Sequence, residues 1–143
     1  MADPNPKDAC GKRKPPLRYA PPALLLAVSE VMEVGARKYG PFNWRDSSVN
    51  LTTYIEAAQR HLMCLQDGQD FDDETRLHHA AHAAACMGIV LDALSLGKLI
   101  DDRFAPGAAA ALIADRVART GASPSGTSGV SGMLRVSEVE KGL

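Results

Sequence analysis

The chain has 143 residues, of which 45% are apolar, 5% aromatic and 23% charged, and its formal net charge is −1. That length suits one domain with little to spare for a second. A charge so near zero supplies no overall field that would draw the chain to nucleic acid or to an anionic membrane.

Residues 1–16 are rich in Pro, Lys and Asp, lack periodicity, and predict a flexible arm. This polar start has no apolar signal core, and no apolar run reaches spanning length, so a soluble cytoplasmic protein without membrane contact is expected. A first helix is predicted over 22–34, opened by an early proline and closed by Gly35. Leu24, Val28, Val31 and Gly35 fall on one of its stripes, while Glu30 and Glu33 project from another face. A loop over 36–50 follows, with Gly40-Pro41 as its turn.

Leu51, Ile55, Ala58, Leu62 and Leu65 keep helical rhythm over 51–66, with Asn50 as N-cap and Asp67-Gly68 as the stop. Asp70, Asp72, Asp73 and Glu74 crowd the entrance to a long helix over 75–96, where carboxylates favour the helix dipole. From 83 to 94 that helix is apolar nearly all round except at Asp92, which predicts the buried centre of the fold. Residues 101–106 make a connection, and 107–120 a weaker Ala-rich helix. Residues 121–143 have the Gly/Ser-rich composition of a flexible tail. With no convincing strand, the expectation is an all-α bundle of about five helices, folded over 17–120. Cys10, Cys64 and Cys86 are odd in number and widely spaced, which fits reduced cytosolic thiols and neither disulfides nor a zinc knuckle.

Several residues could carry chemistry. Glu30 and Glu33, three apart on a helix, lie close enough to share a hard cation; the plain alternative is a solvated face paired with Arg37. His78, His79 and His82 put three of the four histidines within five residues, and either pair, His79–His82 or His78–His82, could meet a metal or a phosphate. Such a polar patch at the edge of a core helix needs partners. The loop over 35–45 offers Arg37 and Lys38 to phosphate oxygens and Tyr39, Phe42 or Trp44 to a base, although the aromatics could equally plug the bundle. Glu56 and Arg60 are a ready ion pair, while Arg60 beside His61 could instead face a polyphosphate.

In order, the ExxE pair, GARKYGPFNW, YIEAAQRHL, GQDFDDET and HHAAH resemble the phage dATP/dGTP diphosphohydrolases (MazZ), a branch of the MazG-like all-α nucleotide pyrophosphohydrolases. The resemblance covers residues 15–94 and implies a MazG-like bundle. It also implies cleavage of dATP and dGTP between the α and β phosphates, in the pathway by which a phage makes 2-aminoadenine DNA. The superfamily holds metal on an ExxE pair and an ExxD pair. Glu30 and Glu33 match the first, whereas His79-Ala-Ala-His82 stands at the second.

Imidazole there favours softer ions than Mg²⁺, such as Mn²⁺ or Co²⁺. Asp72 and Glu74, or Asp92, could complete an oxygen shell, and Gln69 stands where an acid is usual. By this resemblance Glu30, Glu33 and Glu74 are candidates for catalysis, and Glu30, Glu33, His79 and His82 for metal. Lys38, Tyr39, Asn43, Trp44, Arg60 and His61 are the candidates for substrate. Two or three Mg²⁺ or Mn²⁺ ions per site and a homo-oligomer, dimer or tetramer, are likewise implied. The competing reading is a non-enzymatic nucleotide- or nucleic-acid-binding module with Lys12-Arg13-Lys14 as a basic arm, although such runs commonly only solubilise.

Overall fold

The computed structural model describes residues 5–121. Residues 122–143 of the expected tail, and the first four of the expected arm, lie outside the described residues. The chain divides into two compact units, residues 1–104 and 105–143. Within the first, helix α1 (Pro6–Gly11) and a 3₁₀ turn (Leu17–Tyr19) precede helix α2 (Pro22–Tyr39). Both early pieces bury nothing, and α1 is capped by the Asn5 side chain, which accepts from the Lys7 N–H at 3.0 Å.

Helix α2 runs five residues past the predicted stop. Gly35 lies inside it, at the roughly 1 kcal/mol cost of an interior glycine. The real C-cap is Gly40, whose φ of 90° and ψ of 146° suit glycine almost alone. The Arg37–Glu33 ion pair spans the added turn.

Helix α3 (Asn43–Asp46), strand β1 (Val49–Asn50) and helix α4 (Leu51–Gln66) come next, then helix α5 (His79–Ser95) and strand β2 (Leu99–Ile100). The strands were not expected. They form one short parallel ladder, Val49 with Leu99 and Asn50 with Ile100, which ties the start of α4 to the end of α5. Asn50 occupies the N-cap of α4, yet its side chain makes no capping bond. Asp102 does that work instead, accepting from the Thr52 N–H at 2.9 Å and from its hydroxyl at 2.5 Å.

Helix α5 starts at His79, four residues later than the periodicity predicts. Arg76 is left-handed, with φ 61°, and His78 is extended, so no helix can pass through them. Residues 70–78 close on themselves. The Asp72 N–H donates to the Leu77 carbonyl, the Arg76 N–H to the Asp72 carbonyl and the His79 N–H to the Asp70 carbonyl. His78 Nδ1 then caps α5, accepting from the Ala80 N–H at 3.1 Å. The acidic stretch is thus a folded loop ahead of the helix and not its first turn.

Helix α5 packs against α4 and α2, as a central helix should. What it buries is small: Ala81, Ala83, Ala85 and Ala93, with His79. Its large apolar residues Leu91 and Leu94 are exposed, so the expectation of all-round burial is corrected. Among the described residues no large side chain is completely buried. An open apolar groove of about 440 Å³ lies between α4 and α5, with Leu62 and Met87 in its walls. No helix among the described residues is long and apolar enough to cross a membrane. In the second unit the described element is helix α6 (Ala109–Gly121), exposed along its length.

Candidate functional site

The periodicity of α4 places His61 three residues beyond buried Ala58, on the face turned to α5. There it meets the two histidines that open α5. His61 Nδ1 and His79 Nδ1 are 2.8 Å apart, and the His61 ring stacks on His82 with centroids 4.4 Å apart and planes at 14°. The loop over 70–78 closes this cluster. Asp72 Oδ2 accepts from the Thr75 N–H at 2.8 Å and from the Thr75 hydroxyl at 2.9 Å. Thr75 Oγ1 in turn lies 2.7 Å from His82 Nε2.

Proton counting orders the network. A threonine hydroxyl has one hydrogen, and it goes to Asp72. His82 Nε2 must therefore donate in its own contact with Thr75. Between His61 and His79 one nitrogen donates and the other accepts. His79 is only 3% exposed, and its Nε2 is buried without a partner. Such an atom costs free energy until something satisfies it.

Burial pushes the His61 imidazole below its ordinary 6.5, and its neighbours His82 and His79 push the same way. Burial also lowers His82, against an opposing pull from Asp72. Both rings are consequently neutral near pH 7 and carry lone pairs. Burial pushes the Asp72 carboxyl up, but the Thr75 hydrogen bonds outweigh it and leave the group below its ordinary 3.8. The donors on His61, Asp72 and His79 all lie within 4.8 Å of one another, a group that could hold a metal ion.

The other candidate residues are distributed more loosely. Glu30 and Glu33 are exposed on α2, Glu33 is bound to Arg37 at 2.7 Å, and neither joins the group of histidines and Asp72. Lys38, at the end of α2, hydrogen-bonds Glu74 of the acidic loop, and that carboxylate holds the ammonium above its ordinary range. Tyr39 is 71% exposed. Trp44 is 7% exposed; its Nε1 donates to Asp92 at 2.7 Å, and Arg45 binds the same carboxylate at 2.8 Å. Asp92 is thereby engaged as the anchor of α3. Asn43 is half-buried at the start of α3, and Arg60 stays exposed, 3.9 Å from Glu56.

The family model described as "dATP/dGTP diphosphohydrolase, N-terminal" matches residues 4–103, most of the chain. The chain belongs to that family. A protein of Salmonella phage PMBT28 named dATP/dGTP diphosphohydrolase is 37% identical over 90 residues, which make up 63% of this chain and 30% of that relative. The chain thus spans about a third of the length of this curated relative. No solved structure matches. The family match ends where the first compact unit ends, so the histidine cluster, the acidic loop and α2 all lie within the family's own domain.

Thr75 is the member of the site that sequence reasoning missed. The sequence offers His61 as a phosphate contact beside Arg60, and the structure sets its ring against His79 and His82. Its position on the inward stripe of α4 was the available sign.

Proposed function

We propose that this chain carries the nucleotide-hydrolysing domain of a dATP/dGTP diphosphohydrolase, releasing the deoxynucleoside monophosphate and pyrophosphate. Family membership over residues 4–103 is the observation that carries this reading, together with the name of the Salmonella phage relative. In a phage the reaction would lower dATP and supply dGMP for 2-aminoadenine DNA, in the host cytoplasm.

Glu30 and Glu33 would hold Mg²⁺ or Mn²⁺ from α2, with His79 and His82 presenting imidazoles from α5; two or three ions per site are in keeping with a triphosphate. Divalent ions supply charge neutralisation of the polyphosphate and a water acidic enough to attack phosphorus. Every other part falls to side chains. Glu74 would accept the proton of the attacking water. Lys38, which it already binds, would move to the leaving pyrophosphate together with Arg60. His61 would donate to a phosphate oxygen. Tyr39 is the aromatic with a free face for the purine, with Asn43 giving polar contacts, whereas Trp44 is occupied with Asp92.

The exposed apolar groove and the thin alanine core support a homo-oligomer, in which a second copy covers Leu62 and Met87. The test is product analysis of all dNTPs and NTPs with Mg²⁺ or Mn²⁺. Pyrophosphate from dATP and dGTP is expected. Free phosphate, or no turnover alongside a salt-sensitive DNA shift, would replace this reading by a monophosphate hydrolase or a binding module respectively. Glu30→Ala and Glu33→Ala should each lower turnover by a factor of at least about 100 while the protein stays helical.

A further inference from the structure

Three residues from three separate pieces of chain converge beside the α4–α5 seam: His61 from α4, Asp72 from the acidic loop and His79 from the first turn of α5. We propose that they bind a transition-metal ion of the zinc class, at a position that uses His79 but neither Glu30 nor Glu33. The donor chemistry selects the ion. Two imidazoles and one carboxylate are a set that Zn²⁺ and Co²⁺ take readily, with a fourth position left for water or substrate. Mg²⁺ prefers six oxygens and gains little from imidazole.

Geometry agrees. Around a tetrahedral ion with bonds of about 2.0–2.1 Å, neighbouring donors stand about 3.3 Å apart. The 2.8 Å approach of His61 to His79 would open by about half an ångström, within the reach of small χ rotations, and the carboxylate would close in. A cation would replace the proton that the two Nδ1 atoms otherwise share. His79 is only 3% exposed, so an ion on its Nδ1 would be held out of bulk water.

Asp72 is preset for the role. Both of its Thr75 hydrogen bonds fall on Oδ2, which leaves Oδ1 available. Toward this ion His82 acts through Thr75 and by stacking on His61, as a positioning residue. The ligand set accordingly transfers His61 and Asp72 into metal binding. Ion binding requires no nucleotide, so it stands or fails independently of the hydrolase reading.

The experiment uses the full chain without a histidine tag, stripped with EDTA and titrated with Co²⁺ alone. Visible absorption of a four-coordinate Co²⁺ should saturate at one equivalent per chain, bleach on adding Zn²⁺ and persist in millimolar Mg²⁺. His61→Gln and Asp72→Asn, each checked for helicity by circular dichroism, should weaken binding tenfold or more, whereas Glu30→Gln should leave the bands in place. Imidazole NMR shifts of His61 and His79 on Zn²⁺ addition give the same answer in the unmodified protein, should a variant fail to fold. Absence of saturable Co²⁺ binding would overturn the proposal. So would bands that disappear in Glu30→Gln yet survive His61→Gln, or Zn²⁺ that leaves both imidazoles unshifted.

Discussion

Asp92 interrupts an otherwise apolar helix, and in the sequence it looked like a spare metal ligand. Its partners give it another task. Hydrogen bonds from Arg45 and Trp44 hold its carboxyl below the ordinary 3.8. Such a group contributes stability that is present above its unfolded pKa and is lost as pH falls through the lower folded value. Melting temperatures measured from about pH 6 down to about pH 3 should therefore drop more steeply in the wild type than in Asp92→Asn. The variant should melt lower than the wild type at neutral pH. Parallel curves for the two proteins would mean that the clamp adds nothing. The same scale explains Trp44: an indole N–H that is nearly buried needs an acceptor, and the acceptor it found removed it from the surface.

At the scale of elements, glycine and long-range capping decide where helices begin and end. Gly40 stops α2 because its backbone sits where a side chain is strained, although a Cβ there would meet nothing within 4 Å. Gly40→Ala should therefore cost about 1–3 kcal/mol from backbone strain alone, read as a lower denaturation midpoint with an unchanged m-value. A neutral result would show that the turn after α2 relaxes freely.

Helix α4 depends on Asp102, a residue 50 positions away, and α5 on the local cap of His78. The acidic loop before α5 was expected to serve the helix dipole. Its backbone instead closes through Asp72, Leu77, Arg76 and Asp70, and this closure is what carries Asp72 to the histidines.

At the scale of the molecule, the first compact unit is thin. Among its described residues, alanines and one tryptophan make the buried apolar set, while leucines line the outer faces. Burying an exposed leucine is worth about 1.5–3 kcal/mol, and the proposed homo-oligomer would draw on that gain at the α4–α5 groove. Light scattering should find a dimer or larger, and Leu62→Lys with Met87→Lys should shift it towards monomer at micromolar concentration. A wild-type monomer would remove the groove from any assembly. The family match and the first unit stop within a residue of each other, so the natural fragment for such work ends near Phe104.

The chain's own order of residues determined the all-α class, the positions of α2, α4 and α5 to within five residues at each end, the stop at Asp67-Gly68 and the family. These are written in local repeats and contiguous motifs: a 3.6-residue rhythm, a glycine after a helix, a run of histidines. Tertiary structure alone decided that His61 joins His79 across 18 positions, that Trp44 and Arg45 take Asp92, and that Asp102 replaces Asn50 as the cap. Those pairings follow from how helices pack and loops close. Helical periodicity tells which face of an element is turned inward, but not which residue of another element it will meet there.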